Sequence, residues 1–477
     1  MNYLWCMEQA THTGFTDSFL KALGLDPTDD QLRAIQFLAS YLSPGNRDGI
    51  FILKGFAGTG KTTLLAALTK IVSRFVLLAP TGRAAKVLSG YSGFSASTIH
   101  RHIYKLAASA DGNFKLIKNE NKFVATTFIV DESSMIGDGN ADDSFSGAGN
   151  LLEDLMDYVS SGKNCKLILV GDTAQLPPVK SDDSPALDVN HVRTLSGLGV
   201  VETELKQVVR QQEAGGILLN ATALRILINR NADTPVLKTA GFNDISQVSS
   251  YELKDLLEDC FNKFGWDEVL IITKSNKSAN QYNQLIRRQI LWYEDELCGG
   301  DRLMIVRNNY FWLDKDSKAG FIANGDTAEV QRVKEAEEKY GLRFATVQLR
   351  LIDYPDEPSF EATVLLDTLY SEAPSITWSE SKKLYDALQL EYADYKPVER
   401  RKLIKENVYY NALQVKFAYS VTCHKAQGGQ WKTVFVDQGY MTEEMKGVSH
   451  LRWLYTAFTR ATEKLYLINF DPANFKI

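Results

Sequence analysis

Eight residues, Gly55–Thr62 (GFAGTGKT), constrain the fold more than any other stretch of the chain. They match the pattern GxxxxGK[ST], follow the apolar run GIFILKG, and precede a helical pattern. Glycines at this spacing let successive backbone N–H groups turn inward around phosphate oxygens at the positive end of a helix. Lys61 then reaches the terminal phosphates, and the Thr62 hydroxyl is a ligand for Mg²⁺. The phosphate-holding set is Gly55, Phe56, Ala57, Gly58, Thr59, Gly60, Lys61, Thr62 and Thr63. A glycine-rich turn without a ligand is the alternative; the strand before it and the helix after it argue against that.

Such a loop needs carboxylates on a neighbouring strand. IVDESSM (Ile129–Met135) supplies them: an apolar strand ends in Asp131 and Glu132. One carboxylate holds Mg²⁺, here assigned to Asp131. The other polarises the attacking water, assigned to Glu132 as general base. GDTAQLPPV (Gly171–Val179) ends the next strand and puts Gln175 where it can touch a γ-phosphate. Taken alone, that segment also reads as an ordinary proline-terminated loop.

The wider pattern agrees with a phosphate loop. FVLLAP, TTFIVDE and CKLILVGD read as further buried strands with helices between most of them, which indicates a parallel sheet covered on both faces. A similar pattern restarts at DEVLIITKS, continues with a helix from Ala279 to about Ile290, and takes VKFAYSVTCHKAQG, TVFVDQ and KLYLINF as further strands. The expected fold is α/β: two P-loop-type domains with parallel sheets, a β-hairpin insertion and a small β-barrel insertion. The expected boundaries are a peripheral segment at 1–26, a first domain at 27–215, a hairpin within it at 103–126, a second domain from 216–325 plus 411–477, and a barrel with a helical arm at 326–410. Asp111-Gly112-Asn113 gives the hairpin its turn signal, and 326–370 alternates apolar and polar residues as barrel strands do. The Asp/Gly-rich stretch 137–149 reads as a loop without an assignable role.

Composition excludes several classes. A chain of 477 residues suggests roughly two to four domains. A net charge of −6 rules out a globally basic nucleic-acid binder but not a local basic channel. Five scattered cysteines without a CxxC argue against a disulfide framework or zinc knuckle and suit a reducing compartment, so a cytoplasmic location is expected. No apolar run approaches the ~18 residues of a membrane span, and the first residues do not read as a signal peptide. No membrane partner is expected.

As an ordered set, the P-loop, DESSM and GDTAQLPPV resemble superfamily 1 helicases of the RecD-like and Dda-like branch. APTGRAAKVL (Ala79–Leu88), STIHR (Ser97–Arg101), ELKQVVRQ (Glu204–Gln211), TKSNKSANQYN (Thr273–Asn283), SVTCHKAQGGQW (Ser420–Trp431) and LYTAFTRA (Leu454–Ala461) resemble that branch's later motifs. The resemblance implies two RecA-like motor domains, a duplex-separating pin at the hairpin and an SH3-like barrel. It implies ATP as substrate, Mg²⁺ as cofactor, and Gln31 in PTDDQLRAI as the adenine contact. It also implies Arg210 and Arg460 as arginines that reach the γ-phosphate from across the cleft and neutralise transition-state charge.

For nucleic acid, the resemblance implies a single strand along one face of both domains, touched by Thr81, Arg83, Lys86, His100, Thr273, Asn276, Thr422, His424 and Lys425. Phe114, near the hairpin turn, would stack on the first base pair. Solvated helix faces are the plainer reading of Arg83 and Lys86, a packed core histidine that of His424, and a ring pinning the hairpin to its own domain that of Phe114. The leading expectation is an ATP-dependent DNA helicase of 5′→3′ polarity acting on single-stranded DNA and on junctions with duplex. It would act as a monomer that meets replication or repair proteins. The alternative is a single-strand-stimulated ATPase that remodels DNA as a subunit and unwinds little. A nucleotide switch needs neither finger arginines nor SVTCHKAQG, and no added nuclease motif is present.

Overall fold

The computed structural model describes residues 14–43, 45–46, 49–108, 114–139, 150–179, 181–209, 215–314, 317 and 319–475. Six strands form the first sheet: β1 (Ile50–Gly55), β2 (Phe75–Ala79), β3 (Ala96–Thr98), β6 (Thr127–Val130), β7 (Lys166–Gly171) and β8 (Val200–Leu205). Their order is β3-β2-β6-β7-β1-β8, and every pairing is parallel. Ile50, Phe51, Ile52 and Leu53 are buried because helices cover both faces of a parallel sheet. One covering helix, Asp29–Leu42, opens with a capping box in which Thr28 and Gln31 exchange side-chain and backbone hydrogen bonds.

The hairpin β4 (Tyr104–Ala108) and β5 (Phe114–Lys118) forms a separate two-stranded sheet in this domain, with Ala108 opposite Phe114. The turn between them lies outside the described residues, as does most of the 137–149 loop.

The second sheet is also parallel. Its strands are β9 (Ile245–Val248), β10 (Val269–Thr273), β16 (Ser420–Thr422), β17 (Trp431–Asp437) and β18 (Ala461–Ile468), in the order β16-β10-β17-β18-β9. A closed barrel interrupts it: β11 (Arg302–Ile305), β12 (Thr327–Lys339), β13 (Leu342–Leu351), β14 (Phe360–Leu365) and β15 (Leu413–Phe417). Register shifts at Val330/Arg332 and Val333/Glu335 bend β12, as barrel closure requires.

The barrel therefore extends beyond the expected 326–410. Its first strand starts at Arg302, and VKFAYSVTCHKAQG is not one strand of the second sheet. Leu413–Phe417 pairs with β11 and β14 in the barrel, Ser420–Thr422 pairs with β10, and Cys423–Ala426 is a single helical turn. Two closely spaced apolar runs served two different sheets, which hydrophobicity alone does not separate.

The arm is two helices, Trp378–Glu391 and Pro397–Glu406. Leu384, Leu388 and Ile404 pack on Leu342, Phe344 and Leu365 at one end of the barrel. Where barrel and second sheet join, Arg287 makes two 2.8 Å bonds to the buried Asp301 carboxylate, and Tyr419 and the Cys298 N–H complete that carboxylate's partners. No helix among the described residues is long and apolar enough to cross a membrane.

Candidate functional site

The carboxyl ends of β1, β6 and β7 converge, as expected where an open α/β sheet binds ligand. Gly58 and Gly60 take φ of +79° and +84°, a conformation that favours glycine, and turn the loop into the helix Lys61–Ile71. Thr59 is fully buried, and its hydroxyl ties back to Phe56 O at 2.8 Å. Lys61 Nζ donates to Gly55 O (2.6 Å) and Phe56 O (3.0 Å) and lies 4.0 Å from Asp172 Oδ2. Thr62 occupies the second position of that helix, partly buried, with Thr63 exposed beside it.

Gln31 braces this loop. Its Nε2 donates to Thr59 O at 3.0 Å, and its Oε1 accepts the Thr28 N–H at 3.0 Å. A Cβ at Gly60 would lie 2.4 Å from Gln31 Nε2, so the close approach requires glycine there.

Two carboxylates, Asp131 and Asp172, face Lys61. Burial first, and the Glu132 carboxylate second, push the Asp131 carboxyl up, while Lys61 draws it down. Burial also raises Asp172. Glu132 itself has φ +51°, an uncommon conformation for a non-glycine residue that costs of order 1–3 kcal/mol and often marks functional sites. Its N–H donates to Asp131 Oδ1 at 2.9 Å. Gln175 is buried, and its Oε1 has no hydrogen-bond partner among the described residues; the same holds for the Ser134 Oγ.

The second domain closes the cleft. Arg460 is buried, held by Thr456 O, Gly429 O and the Thr459 hydroxyl, each at 3.1 Å, and its Nη1 reaches to 3.8 Å from Glu132 Oε1. Phe56 and Leu176 of the first domain pack within the second domain's apolar core. Arg210 lies outside the described residues.

The face expected to carry nucleic acid is divided. Thr81 caps the helix Gly82–Ser92 by accepting the Ala84 N–H. Gly428 of the second domain meets the start of this helix, where a Cβ would come 2.7 Å from that of Ala84. Arg83 stacks over Trp431 at 4.8 Å, and it also lies 3.8 Å from Asp353 of the barrel. Lys86 reaches the same carboxylate at 3.6 Å and donates to Ile352 O. Arg83 therefore sits at a junction of both domains and the barrel, whereas Lys86 reaches the barrel from an exposed position on the helix.

His424 is exposed and Lys425 is partly buried on the one-turn helix after β16, beside the partly exposed Thr422. Burial and the charge of Lys416 bring Lys425 down to about 8. Asn276 Nδ2 donates to Glu372 O. Thr273 is fully buried, its hydroxyl bonded to Ser275 O, so it shapes the strand end from beneath. His100 is half-buried, its ring 5.7 Å from that of Tyr104. Phe114 opens β5, remote in sequence from the cleft.

Residues 28–226 match the family model described as AAA domain, and residues 417–468 match the model described as UvrD-like helicase C-terminal domain. The ATP-dependent RecD2 DNA helicase of Deinococcus radiodurans is 34% identical over a segment covering 27% of this chain and 16% of that protein. The ATP-dependent DNA helicase dda of enterobacteria phage T4 is 24% identical across 60% of this chain and 62% of its own. In both matched domains and in these relatives the chain is similar to superfamily 1 helicases of the RecD-like branch. It is accordingly an ATP-hydrolysing enzyme of the helicase class. An uncharacterized protein of Acanthamoeba polyphaga mimivirus is 23% identical across 88% of this chain and 95% of its own. The chain spans less than two thirds of either named helicase.

Several residues of this helicase's cleft were not singled out by sequence. Asp30 accepts the Lys206 and Gln207 N–H groups at 2.8 and 2.9 Å and pins the segment that leads to Arg210. Asp172 faces Lys61, and the GDTAQ motif was the available signal for it. Tyr455 and Gln427 cross the cleft; both lie inside recognised motifs, where neither was given a role of its own.

Proposed function

We propose that this helicase is an ATP-dependent DNA helicase that moves 5′→3′ on single-stranded DNA and opens duplex at its hairpin. The observation that carries the reading is one cleft built from two domains. Lys61, Asp131, Glu132 and Asp172 come from the first sheet, and Arg460 approaches Glu132 from the second. The curated relatives named as DNA helicases support DNA as the track. Polarity rests on resemblance to the branch.

The donor set fits a triphosphate with Mg²⁺. The inward loop with its positive-φ glycines, the Lys61 ammonium and the Gln175 Oε1, unpartnered among the described residues, suit phosphate oxygens and a water. Among the described residues, no group of three or more His, Cys, Asp or Glu side chains forms a metal cage. Mg²⁺ suits this arrangement, since it binds through one or two protein oxygens plus phosphate and water. Thr62 and Asp131 would hold it, and when bound it neutralises phosphate charge. Glu132 orients and deprotonates the attacking water. Gln175 contacts the γ-phosphate. Arg460, and Arg210 from ELKQVVRQ, balance charge on the transferring phosphoryl oxygens.

DNA would run from Thr81, Arg83 and Lys86 past His100 to Asn276, Thr422, His424 and Lys425, across the seam between the domains. Cleft closure on ATP then shortens the distance between two DNA grips, and hydrolysis restores it. The direct test is ATP turnover with and without a single-stranded oligonucleotide. Stimulation in the wild type, lost in Lys61→Ala, is the expected result. An ATPase indifferent to DNA would contradict the assignment.

A further inference from the structure

Tyr455 belongs to the second domain's helix Val448–Phe458, yet its hydroxyl lies against the first domain's phosphate loop. It accepts the Ala57 N–H at 2.7 Å and donates to Asp172 Oδ2 at 2.6 Å. That same carboxylate oxygen is 4.0 Å from Lys61 Nζ, and its sister oxygen accepts the Ala174 N–H at 2.9 Å. A phenol can accept and donate at once, so one oxygen joins a backbone donor of the phosphate loop to the carboxylate that faces Lys61.

Two neighbouring bonds cross the same seam. The Leu176 N–H donates to the Thr456 hydroxyl at 2.8 Å, and Gln427 Nε2 donates to Leu176 O at 2.7 Å. Both hold the GDTAQL loop only. Of these three side chains, Tyr455 alone bonds the phosphate loop. Its ring is packed in the second domain's core beside Phe56, Leu176 and Leu454, so the hydroxyl follows that domain's position.

We propose that Tyr455 is a positioning residue: its hydroxyl holds the Ala57 N–H and the Asp172 carboxylate in register and so carries the placement of the second domain to Lys61 and the triphosphate. The inference rests on the cleft being the ATP site. Single-stranded DNA, gripped by both domains, would then accelerate hydrolysis partly through this bond.

Tyr455→Phe keeps the packed ring and removes both hydrogen bonds. In the full chain we expect amide exchange of the 55–62 segment to quicken. We also expect DNA-stimulated kcat to fall about tenfold, the scale of one hydrogen bond, with a smaller change in the KM for ATP. Thr456→Val, which removes a seam bond that does not reach the phosphate loop, should leave exchange at 55–62 as in the wild type. Unchanged exchange at 55–62 in Tyr455→Phe would overturn the proposal. So would a parallel loss of basal rate, stimulated rate and Tm, which marks a purely structural tyrosine. If the wild type itself shows no stimulation by DNA, the functional reading fails, and the exchange result still decides whether the hydroxyl holds the loop.

Discussion

Arg460 Nη1 lies 3.8 Å from Glu132 Oε1, and the two side chains belong to different RecA-like domains. Three hydrogen bonds to its own domain fix the guanidinium, so its approach to Glu132 tracks the position of that domain. On the proposed function, a cation carried by the second domain would make hydrolysis conditional on closure. Arg460→Ala should lower DNA-stimulated kcat by about 10³-fold, the low end for a finger arginine. Nucleotide affinity, measured with a fluorescent ADP, should change far less. A wild-type turnover rate in Arg460→Ala would remove Arg460 from the reaction.

Asp326 gives a pH dependence of known sign. It is fully buried at the barrel's contact with the first domain, where a Cβ on Gly82 would come 2.3 Å from its Oδ1. Burial first, then the Asp353 carboxylate, push its carboxyl up to about 8, while the Ala323 N–H and Arg101 pull the other way. In the unfolded chain the group ionises near the ordinary aspartate value of 3.8. Between roughly pH 4 and 8 the folded state therefore binds the extra proton, and stability falls as pH rises, by at most about 1.4 kcal/mol per unit from this group. Asp326→Asn should flatten the decline in Tm across that window. A variant whose Tm profile parallels the wild type would show that Asp326 is not the group responsible.

The Arg287–Asp301 pair should matter for stability. Both side chains are buried, and Arg287 also stacks over Phe417 at 4.3 Å. Arg287→Ala strands a buried carboxylate, a loss of about 3–5 kcal/mol. Urea unfolding would register it as a lower midpoint. A midpoint within experimental error of the wild type would mean that Asp301 is satisfied by Tyr419 and the Cys298 N–H alone.

Much of the nucleotide site was legible because its chemistry is local. Glycine spacing, Lys61 and the strand-end acids lie within short segments, and parallel sheet topology brings those segments together. Other features depend on registers that no short segment encodes. Arg83 and Lys86 meet Asp353, about 270 positions away, only because the barrel docks on the helix Gly82–Ser92. Gln31 shows a different difficulty. Thr28-x-x-Gln31 is a capping box readable in four residues, and the same glutamine reaches Thr59 O, so a helix cap and a loop brace share one side chain. Tyr455 sits at a buried helical position, where an aromatic ring is usually packing. Its hydroxyl matters only once the opposite domain is in place.

On the proposed function, a change in the hairpin should separate unwinding from hydrolysis. Phe114 begins β5, opposite Ala108 and next to the turn. Phe114→Ala should reduce duplex opening several-fold, given about 1–3 kcal/mol for base–aromatic stacking, and leave single-strand-stimulated ATP turnover near the wild-type rate. An equal loss of both activities would contradict a separating role for this residue. Little unwinding by the wild type, with robust stimulation, would favour a remodelling ATPase.

The most direct measurement is unwinding of two labelled duplexes, one with a 5′ single-stranded tail and one with a 3′ tail, under Mg-ATP, with Lys61→Ala as control. Opening of the 5′-tailed duplex alone, abolished in Lys61→Ala, is the predicted result. Opening of the 3′-tailed duplex instead, or of neither, would contradict it.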